Sequence, residues 1–182
     1  MKVIRKNNIK EAVTILKNKG VIVYPTDTAY GLGGVFDSKK VINQILKIKN
    51  RKDKKFTIIA SSQHQVEKFF KLNSIEKKLA KKYWPGSLSI VVSKNFAVRV
   101  PKNIVAQTLA RRVGKPLIAT SANVTGQKPA YDVKVVKKQF LNKKNQPELI
   151  LESGRLKKIK PSTVVKVKDS NVIIVRKGSV NL

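Results

Sequence analysis

The apolar residues of this chain come in short runs, and this feature limits its possible folds more than any other. Two examples are residues 21–24 and 90–92, each bounded by polar residues, glycine or proline. A membrane helix needs roughly 20 apolar residues in succession. Runs this short suit buried strands and the inner faces of amphipathic helices instead. The pattern therefore predicts an α/β (α+β) protein without a membrane span.

Helical and strand patterns are mixed along the chain. Ile9, Ala12, Val13 and Leu16 share one helix face, and Gly20 ends that helix. Asp37 or Ser38 caps a second helix, and Ser74 caps a later one. Further helices are predicted near 63–71, 74–83, 104–113 and 132–141. Strands are predicted near 21–24, 56–60, 88–92, 97–100, 117–119, 148–151, 163–168 and 171–176, with loops at 26–34 and 120–128.

The order of these segments indicates a mixed sheet. Neighbouring strands at 88–100 and at 163–176 imply hairpins, which a purely parallel sheet does not contain. The chain has no internal repeat, no low-complexity segment and no evident linker. We therefore expect one domain that covers residues 1–182 and contains a mixed parallel and antiparallel sheet flanked by helices.

The charge balance is strongly basic. Lysine and arginine number 40 against 10 aspartate and glutamate, so the formal net charge is +30. Such a charge attracts polyanions such as nucleic acid or nucleotide phosphates. Only 7 of the 40 basic residues are arginine, and a lysine bias of this kind also arises from an AT-rich genome. Composition leaves both explanations open.

Several site types are excluded by composition. The chain has no cysteine, which excludes disulfides, thiolate metal sites and a cysteine nucleophile. Its only histidine, His64, is expected on the surface or at a helix start, and the few carboxylates do not cluster. We therefore expect no protein-bound metal, with any Mg²⁺ arriving on a nucleotide. The N-terminal segment has no apolar signal region, so a soluble, cytoplasmic protein is expected.

Three polar stretches lie where strands or helices end, which is where open sheets bind ligands. Residues 24–33 carry threonine and tyrosine hydroxyls with several glycines, although such a turn is also typical of self-capping. Lys49 and Arg51 reach one polyphosphate if the backbone leaves the helix after Lys49; otherwise they complement the helix dipole. Residues 119–126 are small and hydroxylated, which suits close approach by a ligand.

Taken in order, these stretches resemble the YrdC family of threonylcarbamoyl-adenylate synthases. The resemblance runs from about residue 10 to the end of the chain. It is to the short, single-domain form, and it implies a twisted mixed sheet around a basic concave cleft. The segments that carry it are PTDTAYGLG at 25–33, KNR at 49–51, WPG at 84–86, AVRVP at 97–101, TSAN at 120–123 with Gly126, PST at 161–163, and Arg176 with Gly178.

The resemblance implies a reaction and its partners. L-threonine, bicarbonate and ATP, with Mg²⁺ accompanying ATP, give threonylcarbamoyl-AMP and pyrophosphate. A partner protein complex then transfers the threonylcarbamoyl group to adenosine 37 of tRNAs that read ANN codons. Such a reaction requires positioning and cancellation of negative charge more than covalent help from the protein.

The resemblance also implies two sets of site residues. The ATP site comprises Lys49, Arg51, Ser121, Asn123 and Arg176, of which the first four are the catalytic set. The L-threonine site comprises Thr28, Arg99, Ala119 and Ser162. Arg99 lies in an otherwise apolar strand, so its charge needs a partner there, either the substrate or an acidic side chain.

The chain departs from the family pattern at four positions. Lys52 and Ser87 stand where proline is usual, and Lys55 and Ala60 replace an asparagine and a histidine of many longer members. Two other functions compete with this one. A tRNA or double-stranded RNA binding module fits the charge, but the chain has no RNA-binding sequence motif. A relative of the hydrogenase-maturation carbamoyltransferases ranks last, because those chains carry cysteine-rich zinc modules.

Overall fold

The structure is a computed structural model that describes residues 1–182. The helices are α1 (Ile9–Lys17), α2 (Lys39–Lys49), α3 (Gln63–Phe69), α4 (Ser74–Tyr83), α5 (Ile104–Val113) and α6 (Val133–Phe140). None of these helices combines the length and apolar character needed to span a bilayer. The strands are β1 (Lys2–Arg5), β2 (Ile22–Pro25), β3 (Tyr30–Gly33), β4 (Phe56–Ile59), β5 (Leu88–Val91), β6 (Phe96–Arg99), β7 (Leu117–Ile118), β8 (Thr120–Ser121), β9 (Leu149–Glu152), β10 (Thr163–Lys168) and β11 (Asn171–Arg176).

The strands form two mixed sheets, so the predicted fold class is confirmed, with the single expected sheet divided in two. The first sheet has the order β1-β9-β2-β3-β8 and the second has β11-β10-β5-β6-β4-β7. The two predicted hairpins are present, because β5 pairs with β6 and β10 pairs with β11, both antiparallel. Parallel pairs connect β10 with β5 and β4 with β6.

One short segment connects the two sheets and brings their edges together. β7 pairs with β4 in the second sheet, and β8, two residues further on, pairs with β3 in the first. Between them, the Ala119 amide donates to the Thr57 carbonyl at 2.8 Å, and the Ile118 amide donates to the Gly34 carbonyl at 2.8 Å. Residues 119–121 therefore lie where the sheets meet, and the side chains of this segment can face a space lined by both.

The region predicted as a loop at 26–34 contains the buried strand β3, and this prediction was partly wrong. Its glycines indicated a loop, but Gly33 instead allows the backbone of β3 to lie close to the backbone of β7. A Cβ on Gly33 would lie 1.6 Å from the Ile118 carbonyl oxygen, so only glycine lets β3 pack against β7. The Tyr24 hydroxyl also donates to this oxygen at 2.6 Å, and burial raises the pKa of Tyr24. The predicted loop at 120–128 likewise begins with the short strand β8.

Helix ends follow the predicted residue types, with small shifts in position. Ser38 is the N-cap of α2, as expected, and its hydroxyl accepts from the Val41 amide. The N-cap of α4 is Asn73 and not Ser74, because Asn73 and Glu76 form a reciprocal capping box. Helix α1 ends at Lys17, before Gly20, since Lys19 already adopts a positive φ of 60°.

Candidate functional site

A cavity of about 580 Å³ opens between the two sheets. Its wall takes residues from β3 and β8 in the first sheet and from β4, β5, β6, β10 and β11 in the second. Seven of the nine predicted site residues line this cavity, namely Thr28, Arg51, Arg99, Ala119, Ser121, Ser162 and Arg176. The side chains of Lys49 and Asn123 are buried behind the wall and do not line it.

Arg99 is the buried cation of the cavity, and it has an acidic partner. The residue is only 3% exposed, and its Nη1 donates to Asp27 Oδ1 at 2.7 Å. The other Asp27 oxygen accepts from the Lys102 amide at 3.2 Å. The opposite edge of the guanidinium is largely unpaired: the buried Nε has no partner, and Nη2 has only Thr28 Oγ1 at 3.5 Å. Nε and Nη2 form the side-on fork whose geometry matches a carboxylate, so this edge has hydrogen-bond donors that no group of the protein satisfies.

Arg176 and Ser162 form a second polar group of the cavity. The Arg176 guanidinium donates to the Ser162 carbonyl from Nε at 3.2 Å and from Nη2 at 2.8 Å, and to the Ser162 hydroxyl at 3.0 Å. That hydroxyl also contacts the buried Ser89 hydroxyl at 3.0 Å. Partial burial and the nearby charge of Arg99 lower the pKa of Arg176. Two arginines thus contribute positive charge to the same cavity.

In the threonine-rich turn before β3, the Thr26 hydroxyl stabilises the turn itself, whereas Thr28 lies at the cavity. Thr26 Oγ1 donates to the Ala29 carbonyl at 2.6 Å and accepts from the backbone amides of Thr28 and Ala29. Thr26 is thus the self-capping residue of this turn. Thr28 has a weaker hydroxyl contact with Thr26 at 3.2 Å and remains half-exposed at the cavity. The same turn is therefore both a self-capped turn and part of the cavity wall.

The backbone leaves α2 directly after Lys49, as the predicted site requires. Asn50 is the C-cap with φ 49° in the left-handed region, and Arg51 lies beyond it at the cavity. The Arg51 Nη2 donates to Asp53 Oδ2 at 2.8 Å and to the Lys55 carbonyl at 2.7 Å. The Arg51 hydrogen bond to Asp53 lowers the pKa of that carboxyl. Arg51 keeps further guanidinium donors available to a ligand.

Lys49 turns away from the cavity and into the protein. Its Nζ donates to the Ser121 carbonyl at 2.6 Å, the Asn123 carbonyl at 2.7 Å and Asn123 Oδ1 at 3.3 Å. No carboxylate pairs with this ammonium. Burial, with a smaller contribution from the charge of Arg51, lowers the pKa of Lys49 to about 8. Lys49, Ser121 and Asn123 therefore lie together, but Lys49 contacts the other two through two backbone carbonyls and one side-chain oxygen behind the wall.

The buried ammonium predicts a pH-dependent stability. In the unfolded chain Lys49 keeps its ordinary pKa near 10.5, so between about pH 8 and 10.5 the unfolded state binds more protons. Stability therefore rises with pH across this window, and below pH 8 the whole cost of the buried charge is present. We expect the wild type to gain up to roughly 3 kcal/mol relative to Lys49→Met across the window. Urea unfolding of both proteins at several pH values measures this difference, and a difference independent of pH would contradict it.

Two residues outside the predicted site belong to it. Asp27 holds one edge of Arg99, and Lys55 lines the cavity beside Arg51. Asp27 had a signal in the sequence, since a buried arginine needs an acidic side chain or a substrate. His64 is exposed in α3, as expected from the sequence. Trp84 packs at a turn, where its indole nitrogen donates to the Leu88 carbonyl at 2.7 Å. No cluster of three or more metal-ligating side chains is present.

Comparison with known proteins gives one consistent family. The family model Sua5/YciO/YrdC, described as telomere recombination, matches residues 14–178. A threonylcarbamoyl-AMP synthase of Yersinia pestis is 32% identical over 155 residues, which cover 75% of this chain and 82% of that protein. The crystal structure of E. coli YciO superposes with a TM-score of 0.84 at 27% identity and covers 99% of this chain and 96% of that one.

A further solved structure is similar over the whole fold. P. abyssi Sua5 complexed with L-threonine has a TM-score of 0.86 at 25% identity over 97% of this chain. The chain spans 56% of the length of that Sua5 protein. The curated synthases support an enzyme of the nucleotidyltransferase type as the class of this protein. The chain belongs to the Sua5/YciO/YrdC family.

Proposed function

We propose that this protein is a threonylcarbamoyl-AMP synthase, which converts L-threonine, bicarbonate and ATP into threonylcarbamoyl-AMP and pyrophosphate. The observation that carries the proposal is the largely unpaired Nε and Nη2 edge of buried Arg99, in the wall of a cavity that Arg51, Arg176 and Ser121 also line. One buried fork suits an amino-acid carboxylate, and the remaining cations suit phosphates. We propose that residues 1–182 work as one domain in this reaction.

The threonine site is proposed around Arg99. The substrate carboxylate accepts from the unpaired edge of the guanidinium while Asp27 keeps the opposite edge in place. Thr28 and Ser162 supply hydroxyl groups to the polar atoms of threonine. Ala119 lies where the two sheets meet, and its small side chain leaves room for the substrate there. The threonine complex of P. abyssi Sua5 supports this choice of amino acid.

The ATP site is proposed on the side of Arg51 and Ser121. Arg51 and Arg176 donate to phosphate oxygens, which enter with Mg²⁺ as their counter-ion, and Ser121 adds a neutral donor. Lys49 and Asn123 complete this side of the site from behind the wall. Lys55 adds positive charge at the same edge.

The proposed reaction uses the substrates' own groups. The threonine amine captures bicarbonate as a carbamate, with loss of water. A carbamate oxygen then attacks the α-phosphorus of ATP, the bond to the β-phosphate oxygen breaks, and pyrophosphate leaves with the electron pair. The protein holds the carbamate and ATP in line and offsets the charge that develops on the leaving group. No protein side chain has to act as a general base.

We propose that the product serves tRNA modification in the cytoplasm. The threonylcarbamoyl group would pass to adenosine 37 of tRNAs that read ANN codons, through a partner protein complex. The names of the curated relatives support the first product, and the net charge of +30 is compatible with a tRNA partner.

The test is pyrophosphate release from ATP, with L-threonine and bicarbonate omitted in turn. Release that requires both co-substrates, with threonylcarbamoyl-AMP identified by mass spectrometry, is the expected result. Folded protein that releases no pyrophosphate under any condition would overturn the proposal. In that case, tRNA binding at several salt concentrations would test the RNA-binding alternative, whose affinity should fall with a log–log slope of roughly 0.7–0.9 per phosphate contacted.

A further inference from the structure

We propose that Lys49 is a positioning residue, which holds the segment 121–125 in place for the proposed synthase reaction and does not itself contact the phosphates. A lysine ammonium has three N–H donors. All three have acceptors here, on the Ser121 carbonyl and on the carbonyl and side chain of Asn123, at 2.6 to 3.3 Å. To reach a phosphate, Lys49 would have to give up these contacts. The backbone carbonyl and the side-chain oxygen of Asn123 would then be buried without a donor, which is costly.

Lys49 contacts this segment through both its side chain and its backbone. Besides the ammonium contacts, the backbone carbonyl of Lys49 accepts from the Thr125 amide at 2.9 Å. One residue at the end of α2 therefore contacts the segment at Ser121, Asn123 and Thr125. Because Lys49 is the last residue of α2, its contacts connect the segment to a rigid helix.

A second residue supports the same segment from the other side. Gln139 of α6 accepts from the Val124 amide through Oε1 at 2.9 Å and donates from Nε2 to the Lys128 carbonyl at 3.2 Å. The side-chain nitrogen of Asn123, Nδ2, donates to the carbonyls of Val124 and Gln127. The side chain of Asn123 is thus also committed to the shape of the segment.

The consequence concerns Ser121, the residue of this segment that faces the cavity. Its backbone pairs with Gly31 of β3, and its carbonyl accepts from Lys49. Together with the Asn123 amide, which also donates to this carbonyl at 2.9 Å, these contacts constrain where the Ser121 hydroxyl lies relative to Arg51. Loss of Lys49 should therefore misplace a donor to the reacting phosphate, whereas loss of Arg51 should remove a direct contact.

The experiment compares Lys49→Met with Arg51→Ala, and pyrophosphate itself is the probe. Calorimetry should show that Lys49→Met binds pyrophosphate within about threefold of wild type, and Arg51→Ala at least roughly tenfold more weakly. In turnover, Lys49→Met should lower kcat by about 10²-fold with little change in KM for ATP, since small misplacements have effects of this size. Hydrogen exchange at the amides of Asn123 and Thr125 should become faster in Lys49→Met and should stay at the wild-type rate in Arg51→Ala.

Gln139→Ala makes the proposal testable even if Lys49→Met does not fold. This variant removes the side-chain contacts that connect the same segment to α6. It should also lower kcat and leave the affinity for pyrophosphate unchanged. The proposal is overturned if Lys49→Met weakens pyrophosphate binding as much as Arg51→Ala, or if the segment keeps its exchange protection. Pyrophosphate binding and hydrogen exchange are measured without turnover. If the wild type makes no product, the proposed synthase function is refuted, but these two measurements still test whether Lys49 positions the segment.

Discussion

Replacing Arg51 with alanine should lower ATP-dependent pyrophosphate release by roughly 10²–10³-fold, which is the usual effect of removing one donor to a developing charge. Arg51 lines the cavity directly beyond the end of α2. Its present partners, Asp53 and the Lys55 carbonyl, use only one of its nitrogen atoms. The remaining donors suit phosphate oxygens, and their loss should lower kcat and raise KM for ATP. Steady-state assays at saturating threonine measure both constants.

The matched control is Lys52→Ala, the exposed neighbour that does not line the cavity. Both variants remove one positive charge from the same segment, so a general loss of charge should affect them equally. The Arg51 ion pair with Asp53 is exposed, and such pairs contribute at most about 1 kcal/mol to stability. Thermal unfolding should therefore be nearly unchanged in both. Equal activity of Arg51→Ala and Lys52→Ala would remove Arg51 from the proposed ATP site.

Arg99→Lys should raise KM for L-threonine by roughly 10- to 100-fold, because a hydrogen bond to a charged group contributes about 1.5–3 kcal/mol. Lysine keeps a positive charge that can pair with Asp27, but it has no planar fork and so cannot replace the unpaired Nε and Nη2 edge. KM for ATP should change little, since Arg51 and Ser121 are untouched. Pyrophosphate release measured against threonine concentration separates the two constants.

Arg111→Lys is the control for this substitution. Arg111 lies exposed on α5, and its guanidinium donates only to Thr108 Oγ1 at 3.2 Å. The same chemical change there should leave both KM values at the wild-type level. If KM for threonine in Arg99→Lys stayed within twofold of wild type, the carboxylate would have to bind elsewhere in the cavity.

Much of the architecture could be predicted because it depends on local patterns. The apolar spacing at Ile9, Ala12, Val13 and Leu16 marks the buried face of α1, where Ala12 and Leu16 are fully buried. The hairpins β5–β6 and β10–β11 join segments that are neighbours in the chain. Strand β3 was missed because its glycines resemble a loop, whereas their purpose is the close packing of Gly33 on β7.

In the candidate site, too, some features follow from local sequence and others depend on tertiary contacts. The sequence by itself determined which segments carry polar and charged residues, and that a buried Arg99 required a partner. Only the tertiary structure decided that Asp27 pairs with one edge of Arg99 while the other stays largely unpaired, and that the Lys49 ammonium points inward. The contact of Arg99 with Asp27 and that of Lys49 with Ser121 each join residues 72 positions apart. Periodicity reports whether a side chain is buried, but a partner at that distance depends on how the two sheets meet at Ala119.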